Sequence, residues 1–320
     1  MTHTQITYLV FGIVLVLAII LDLGLLSRKS NTMTMRQALL QTLFWVSLGL
    51  GFGAFVWYEE GKTTALEYIS AYLMEWSLSI DNIFVFVLIF GFFKVREAFI
   101  PRVLLIGILM AIVLRVLFIT VGVELVNRFH WILYLFGVFL VYTGFNMFTS
   151  NQDEEFSPAD SKVYRFLKRY LPITLSDGNG RYFIRYRGRP VYTALFVVIV
   201  MLATTDVVFA LDSIPAVMGI SRNVLVIYTS NIFAVLGLRS LFFLLRGAVT
   251  KFDYLQQGIA IVLVFIGIKM LGEELVSTVV DKSTQVLLSL GVIVTCITGS
   301  ILYSVYHNKK GLPPEIKEQT

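Results

Sequence analysis

Residues 66–93 read LEYISAYLMEWSLSIDNIFVFVLIFGFF, an apolar run of helical length with Glu75 and Asp81 near its middle. A hydrocarbon core about 30 Å thick takes roughly 20 apolar residues in a helix, so this stretch can cross a bilayer with length to spare. Tilt or a break is the expected use of the excess. A carboxylate at the centre of a spanning helix costs about 2.5–3.5 kcal/mol on insertion scales, so acids placed there imply partners or a function. Residues 191–219 repeat the arrangement, with DVVFALDSI at 206–214 matching EWSLSIDNI at 75–83. Each has an acid, five residues, then Asp, Asn or Ser, and Ile, which pairs Glu75 with Asp206 and Asp81 with Asp212.

The rest of the chain reads the same way. Of its 320 residues 57% are hydrophobic and 15% charged, against roughly 45–50% apolar and 25% charged in soluble domains. Nine stretches qualify as spans, near 5–27, 39–58, 66–93, 102–123, 130–149, 191–219, 223–245, 254–274 and 284–306. The expected fold is an all-α polytopic membrane protein. The first stretch lacks a basic start and a small-residue cleavage site, and so reads as a retained span rather than a signal peptide. With the N-terminus outside, 19 basic residues fall on the cytoplasmic side and 4 on the other, so the positive-inside rule predicts an external N-terminus and a cytoplasmic C-terminus. The net charge of +5 then reflects topology rather than a nucleic-acid partner. Residues 150–190 contain eight of those basic residues and the turn-forming SDGNG, and read as a small cytoplasmic insert or solvated linker.

A second and third match follow the first in order. LRVLF with Arg115 corresponds to LRSLF with Arg239 at an offset of 124, and VYTGFNM corresponds to VFIGIKM at 123, aligning Gly144 with Gly267 and Met147 with Met270. A three-span unit is odd in number, so its second copy enters the membrane from the opposite side. Inverted repeats of this kind underlie alternating access, with substrate held where the copies meet. The expected organisation is 1–65 as a two-helix addition, 66–149 and 191–276 as the two copies, 150–190 as the insert, and 277–320 as a last helix and tail.

Four intramembrane acids, Glu75, Asp81, Asp206 and Asp212, are the candidate metal ligands, supported by Ser79, Asn82, Thr205, Ser213 and Asn231. Cys296 is the single cysteine, and His3, His130 and His307 lie at segment ends, which leaves hard oxygen donors suited to Mn²⁺, Mg²⁺ or Ca²⁺. Six residues of helix advance about 600° and about 9 Å, so one straight helix does not converge both of its acids. Pro215 is expected to kink or unwind the sixth span near Asp212. Without such a break the acids become stations along a path. The competing structural reading has them paired with Arg115, Arg239 or Lys269. Asn231 fits either a ligand or a helix-helix hydrogen bond, and Asp22 an interfacial anchor.

EWSLSIDNIFVF, DVVFALDSIPA and TSNIFAVLGLRSLFFLL resemble the TerC family, including its Alx-type members, over most of the chain. The resemblance implies a bacterial inner-membrane protein linked to manganese export and, in some members, to tellurium resistance. It places the family's acidic positions on Glu75, Asp81, Asp206 and Asp212. One departure is Ala203, where many relatives carry an acid. The function expected is export of divalent metal cations, Mn²⁺ first, by proton antiport: a carboxyl in low dielectric favours its proton and a bound metal displaces it. No nucleotide-binding motif and no nucleophile-base pair is present, so neither ATP hydrolysis nor enzymatic catalysis is expected. No permanently bound cofactor is expected, and the partners implied are the lipid bilayer and the transported ion. A membrane-embedded metal-binding, regulatory or metallation protein, or a tellurium-resistance protein without cation transport, is the alternative.

Overall fold

The computed structural model describes residues 3–27, 34–149, 159, 161–186, 188–246, 254–272, 276, 278 and 280–310, excluding the side chains of 22–27, 81, 84, 149, 282, 305 and 307–310. The side chains of Asp22 and Asp81 therefore lie outside the description, although the backbone at both positions is helical.

The apolar runs fold as helices because a bilayer leaves backbone N–H and C=O groups no other partner. They are α1 (His3–Ser27), α2 (Met35–Glu60), α3 (Lys62–Phe92), α4 (Ile100–Arg128), α5 (Ile132–Thr149), α7 (Ala194–Ile220), α8 (Val224–Leu236), α9 (Leu238–Leu245), α10 (Leu255–Leu271) and α11 (Lys282–Lys310). Local chemistry sets several starts. Thr34 and Gln37 form a reciprocal capping box on α2, Pro101 sits in the first turn of α4, and the Asn223 side chain accepts from the Leu225 N–H at 3.0 Å to cap α8.

Among the described residues α1, α2, α3, α4, α7 and α11 are long and apolar enough to cross a membrane, and α8 with α9 makes a seventh when the bent pair is one span. The protein is thus an all-α polytopic membrane protein. Helices α5 and α10 occupy the two remaining expected positions but have 18 and 17 residues. They pack tightly on each other across glycines. A methyl added at Gly267 would lie 2.7 Å from the Gly137 carbonyl oxygen, and one at Gly144 would lie 2.8 Å from that of Ala260.

Of the kink or unwinding expected near Pro215, the unwinding is not there. Helix α7 runs uninterrupted from Ala194 to Ile220 with Pro215 buried inside it. One proline removes one hydrogen bond, and α3, α4, α5 and α10 all pack against α7 and hold it. The discontinuity falls instead at Gly237, where α8 and α9 meet at 42°. Gly237 abuts Trp45 and Trp76, and the Ser240 hydroxyl bonds its carbonyl at 2.9 Å. A Gly/Ser pair of this kind is a recognised source of kinks.

Helices α3 and α7 pack against each other in opposite directions. At one end the hydroxyl of Ser221, the C-cap residue of α7, donates to Glu67 in the second turn of α3. At the other, the insert bridges the C-terminus of α3 and the N-terminus of α7. The insert holds α6 (Lys162–Tyr170), a turn at Gly178–Gly180 and a hairpin of β1 (Phe183–Tyr186) and β2 (Arg189–Tyr192). Tyr164 of α6 packs edge-on against Phe92 and Phe93, while Phe183 and Tyr192 cluster with Phe196 in the first turn of α7. Helix α1 packs on α2 and α8, α2 on α3 and α9, and α11 on α10 and α3.

Candidate functional site

The acids and their neighbours are placed by helix periodicity. Glu75, Ser79 and Asn82 are spaced by four and three residues and share a face of α3, and Asp206 and Ser213, seven apart, share a face of α7. All five are buried. Arg115 of α4 reaches between those faces and is 1% exposed.

The guanidinium of Arg115 binds three other helices at once. Nη1 donates to Glu75 Oε2 at 2.6 Å and to Asn231 Oδ1 of α8 at 3.0 Å. Nη2 donates to Asp206 Oδ1 at 3.1 Å and Oδ2 at 3.2 Å, and Nε to Oδ2 at 3.3 Å. Asn231 is oriented by its own helix, its amide donating to the Ile227 carbonyl at 2.9 Å. One guanidinium thus faces two carboxylates in a charge-assisted fork. Glu75 Oε1, Ser79 Oγ and Ser213 Oγ are buried without a hydrogen-bond partner among the described residues. Ser213 nevertheless lies beside the Glu75 carboxylate, outside good hydrogen-bonding geometry. Unused buried oxygens of this kind are costly and call for an explanation.

Asp212 is not part of this cluster. It is half-buried and accepts from Thr143 Oγ1 of α5 at 3.4 Å. The six-residue step turns it about 120° away from Asp206 and about 9 Å along the axis, and the unbroken helix does not restore convergence. Among the described residues no group of three or more His, Cys, Asp or Glu side chains is placed to share a metal ion. The four-acid plane is therefore not assembled: Glu75 and Asp206 meet, Asp212 stands apart, and the Asp81 side chain is outside the description.

Residues 60–312 match the family described as integral membrane protein TerC family. The chain belongs to the TerC family. Among its relatives, an uncharacterized membrane protein of Myxococcus xanthus is 44% identical over 250 residues, covering 78% of each chain. Alx of Escherichia coli (strain K12), named provisionally as a membrane-bound redox modulator, is 42% identical over 270 residues, covering 82% of this chain and 84% of that one. The protein of the same name from Salmonella typhi is 37% identical over 93% of both. No solved structure matches.

In this TerC-family chain the remaining candidates fall into place as follows. Thr205 bonds its own helix through the Met201 carbonyl at 2.7 Å, as Thr204 does through Val200 at 2.6 Å, so each hydroxyl proton is used within α7. Arg239 is buried in α9, and Lys269 donates to Ser289 of α11 at 3.0 Å. Sequence reading offered Arg115 as a counter-charge to the group, and the structure makes it the centre. Two features were missed. Glu67 is a further buried acid, bonded by Ser221; its place at the edge of an apolar run hid it as a boundary residue. Thr143, the partner of Asp212, carries no local signal, since a threonine in a span usually bonds its own helix.

Proposed function

We propose that this TerC-family chain is a secondary transporter, not an enzyme, that exports divalent metal cations, with Mn²⁺ as the first substrate, across the bacterial inner membrane in exchange for protons. The observation that carries this reading is the buried Arg115 fork on Glu75 and Asp206, at the crossing of two antiparallel helices. Because α3 and α7 run in opposite directions, Asp81 and Asp212 lie about 9 Å to either side of that crossing. Acidic positions thus occur at three depths along the two helices, and they act as stations. With the C-terminus cytoplasmic, the helix position of Asp81 lies toward the cytoplasmic side and that of Asp212 toward the outer side.

At the centre the guanidinium holds the place of a cation. An arriving divalent ion displaces it and takes Glu75 and Asp206 as ligands, with Ser79 and Ser213 as neutral oxygens and Asn82 and Asn231 beside them. Two carboxylates against one guanidinium leave one negative charge, which a proton balances when the ion has left. The contact between α5 and α10 supports two inverted copies as the moving parts. The 123-residue offset exchanges Gly137 with Ala260 and Gly144 with Gly267, so the contact of Gly137 with Gly267 becomes that of Ala260 with Gly144, and both are present. Rocking of one copy on the other about this seam would open the centre to each side in turn.

The test is Mn²⁺ flux into liposomes by purified protein, with a pH-sensitive dye inside. Wild type should carry Mn²⁺ with counter-movement of protons, and Asp212→Asn and Asp81→Asn should each lower the flux at sub-saturating Mn²⁺ while remaining folded. A folded wild-type protein with no flux sinks the reading. A second reading, a membrane-embedded metal-binding or regulatory protein, is favoured by the fact that the central acids already have an internal partner. It predicts Mn²⁺ binding without flux.

A further inference from the structure

The insert carries a surface that the transport reading does not use. From 161 to 193, after four acids at 153–155 and 160, it contains eight Lys or Arg residues and one acid, Asp177, and that acid is bonded by Arg96 of the α3–α4 turn. Its fold turns Tyr164 and Leu167 inward, onto the ends of the spans. That leaves Phe166 and Tyr170 61% and 63% exposed on the outer face of α6, their rings 4.7 Å apart. Arg165 and Arg169 flank them, the latter 5.7 Å above the Tyr170 ring. On the hairpin Phe183 is 53% exposed, with Arg185 exposed two residues along the same face of β1.

A soluble loop has no reason to expose paired aromatics, whereas aromatic rings among basic side chains are what a membrane interface selects. The position agrees. Phe183 touches Phe196 in the first turn of α7, and Tyr164 touches the last residues of α3, so the insert is pinned at the level where spans meet headgroups. We propose that this insert is an anchor for anionic phospholipid, with Phe166, Tyr170 and Phe183 seated among the headgroups and Arg165, Arg169 and Arg185 on lipid phosphates. Basic residues gain from an anionic leaflet within about a Debye length of its surface, roughly 8–10 Å, which the pinning satisfies. The anchor fixes the cytoplasmic ends of α3 and α7 to the bilayer, and it stands whether or not the chain transports metal.

The test uses the full chain carrying Cys296→Ser and Phe166→Cys, labelled with NBD, in nanodiscs of phosphatidylcholine with or without phosphatidylglycerol. With phosphatidylglycerol present, the label should emit blue-shifted and be quenched by nitroxide lipid. Both effects should be lost in pure phosphatidylcholine and in the R165Q/R169Q/R185Q variant. A label at Val138, exposed on α5, should be quenched in every disc and reports an intact fold. Water-like, unquenched emission at 166 in both lipids overturns the proposal and leaves the patch to a soluble acidic partner. Equal quenching in the two lipids, or its survival in the triple variant, overturns it too.

Discussion

Arg115 commits Nε, Nη1 and Nη2 to side chains from three other helices, so its removal strands two buried carboxylates. Arg115→Ala should destabilise the protein by about 3–5 kcal/mol, the usual cost of breaking a buried pair from one side. The triple variant R115A/E75Q/D206N should recover much of that, because its remaining groups are neutral. Thermal unfolding in detergent measures both, and a triple variant no more stable than R115A would show that the charges are not the cause. The exposed pair at the insert behaves differently. Arg96 donates to both oxygens of Asp177 and holds its carboxyl below the usual carboxylate range, helped by the Asn179 N–H. A depressed carboxylate stabilises above its unfolded value and loses that contribution as pH falls through the folded one, so the insert should loosen only below about pH 4. Exposure and salt keep the effect small. Hydrogen exchange at Gly178–Arg181 checks it, and Asp177→Asn should show the loosened pattern at neutral pH.

At the scale of elements, the seam between α5 and α10 depends on glycine because lipid gives apolar helices no hydrophobic reason to associate, and close backbone contact must supply the attraction. Gly267→Leu puts a side chain where a Cβ alone would lie 2.7 Å from the Gly137 carbonyl oxygen. It should cost at least about 1–3 kcal/mol, the range of overpacking in tight interiors. Gly51→Ala and Gly291→Ala, whose added methyls meet nothing within 4 Å, should be tolerated. Folded yield by fluorescence-detected gel filtration separates the two classes, and equal yields would show that the seam is not under packing constraint. Pro215 and Gly237 make the complementary point. Residue type alone favoured a break at the proline, yet neighbouring helices hold α7 continuous, while Gly237 is bent beside two tryptophans.

For the whole molecule, the proposed route through acidic positions at three depths would make its two outer stations inequivalent. In oriented vesicles Asp81→Asn should raise the Mn²⁺ concentration needed for half-maximal flux from the cytoplasmic face, and Asp212→Asn that from the opposite face. Identical effects from both sides would refute a sequence of stations. Most of what this prediction needs was legible in the amino-acid sequence. The apolar runs placed the helices, because a membrane span is set by local length and composition. EWSLSIDNI and DVVFALDSI carried the family resemblance, and the six-residue step already separated each pair of acids, because helical rise and twist are properties of a single chain segment. The tertiary structure decided the partners. That Glu75 and Asp206 share one guanidinium, that Asn231 completes it, and that Asp212 turns to Thr143 are consequences of how four helices face one another. Spacing within a helix states which residues share a face, but a buried charge takes its partner from whatever neighbouring face packing brings to it.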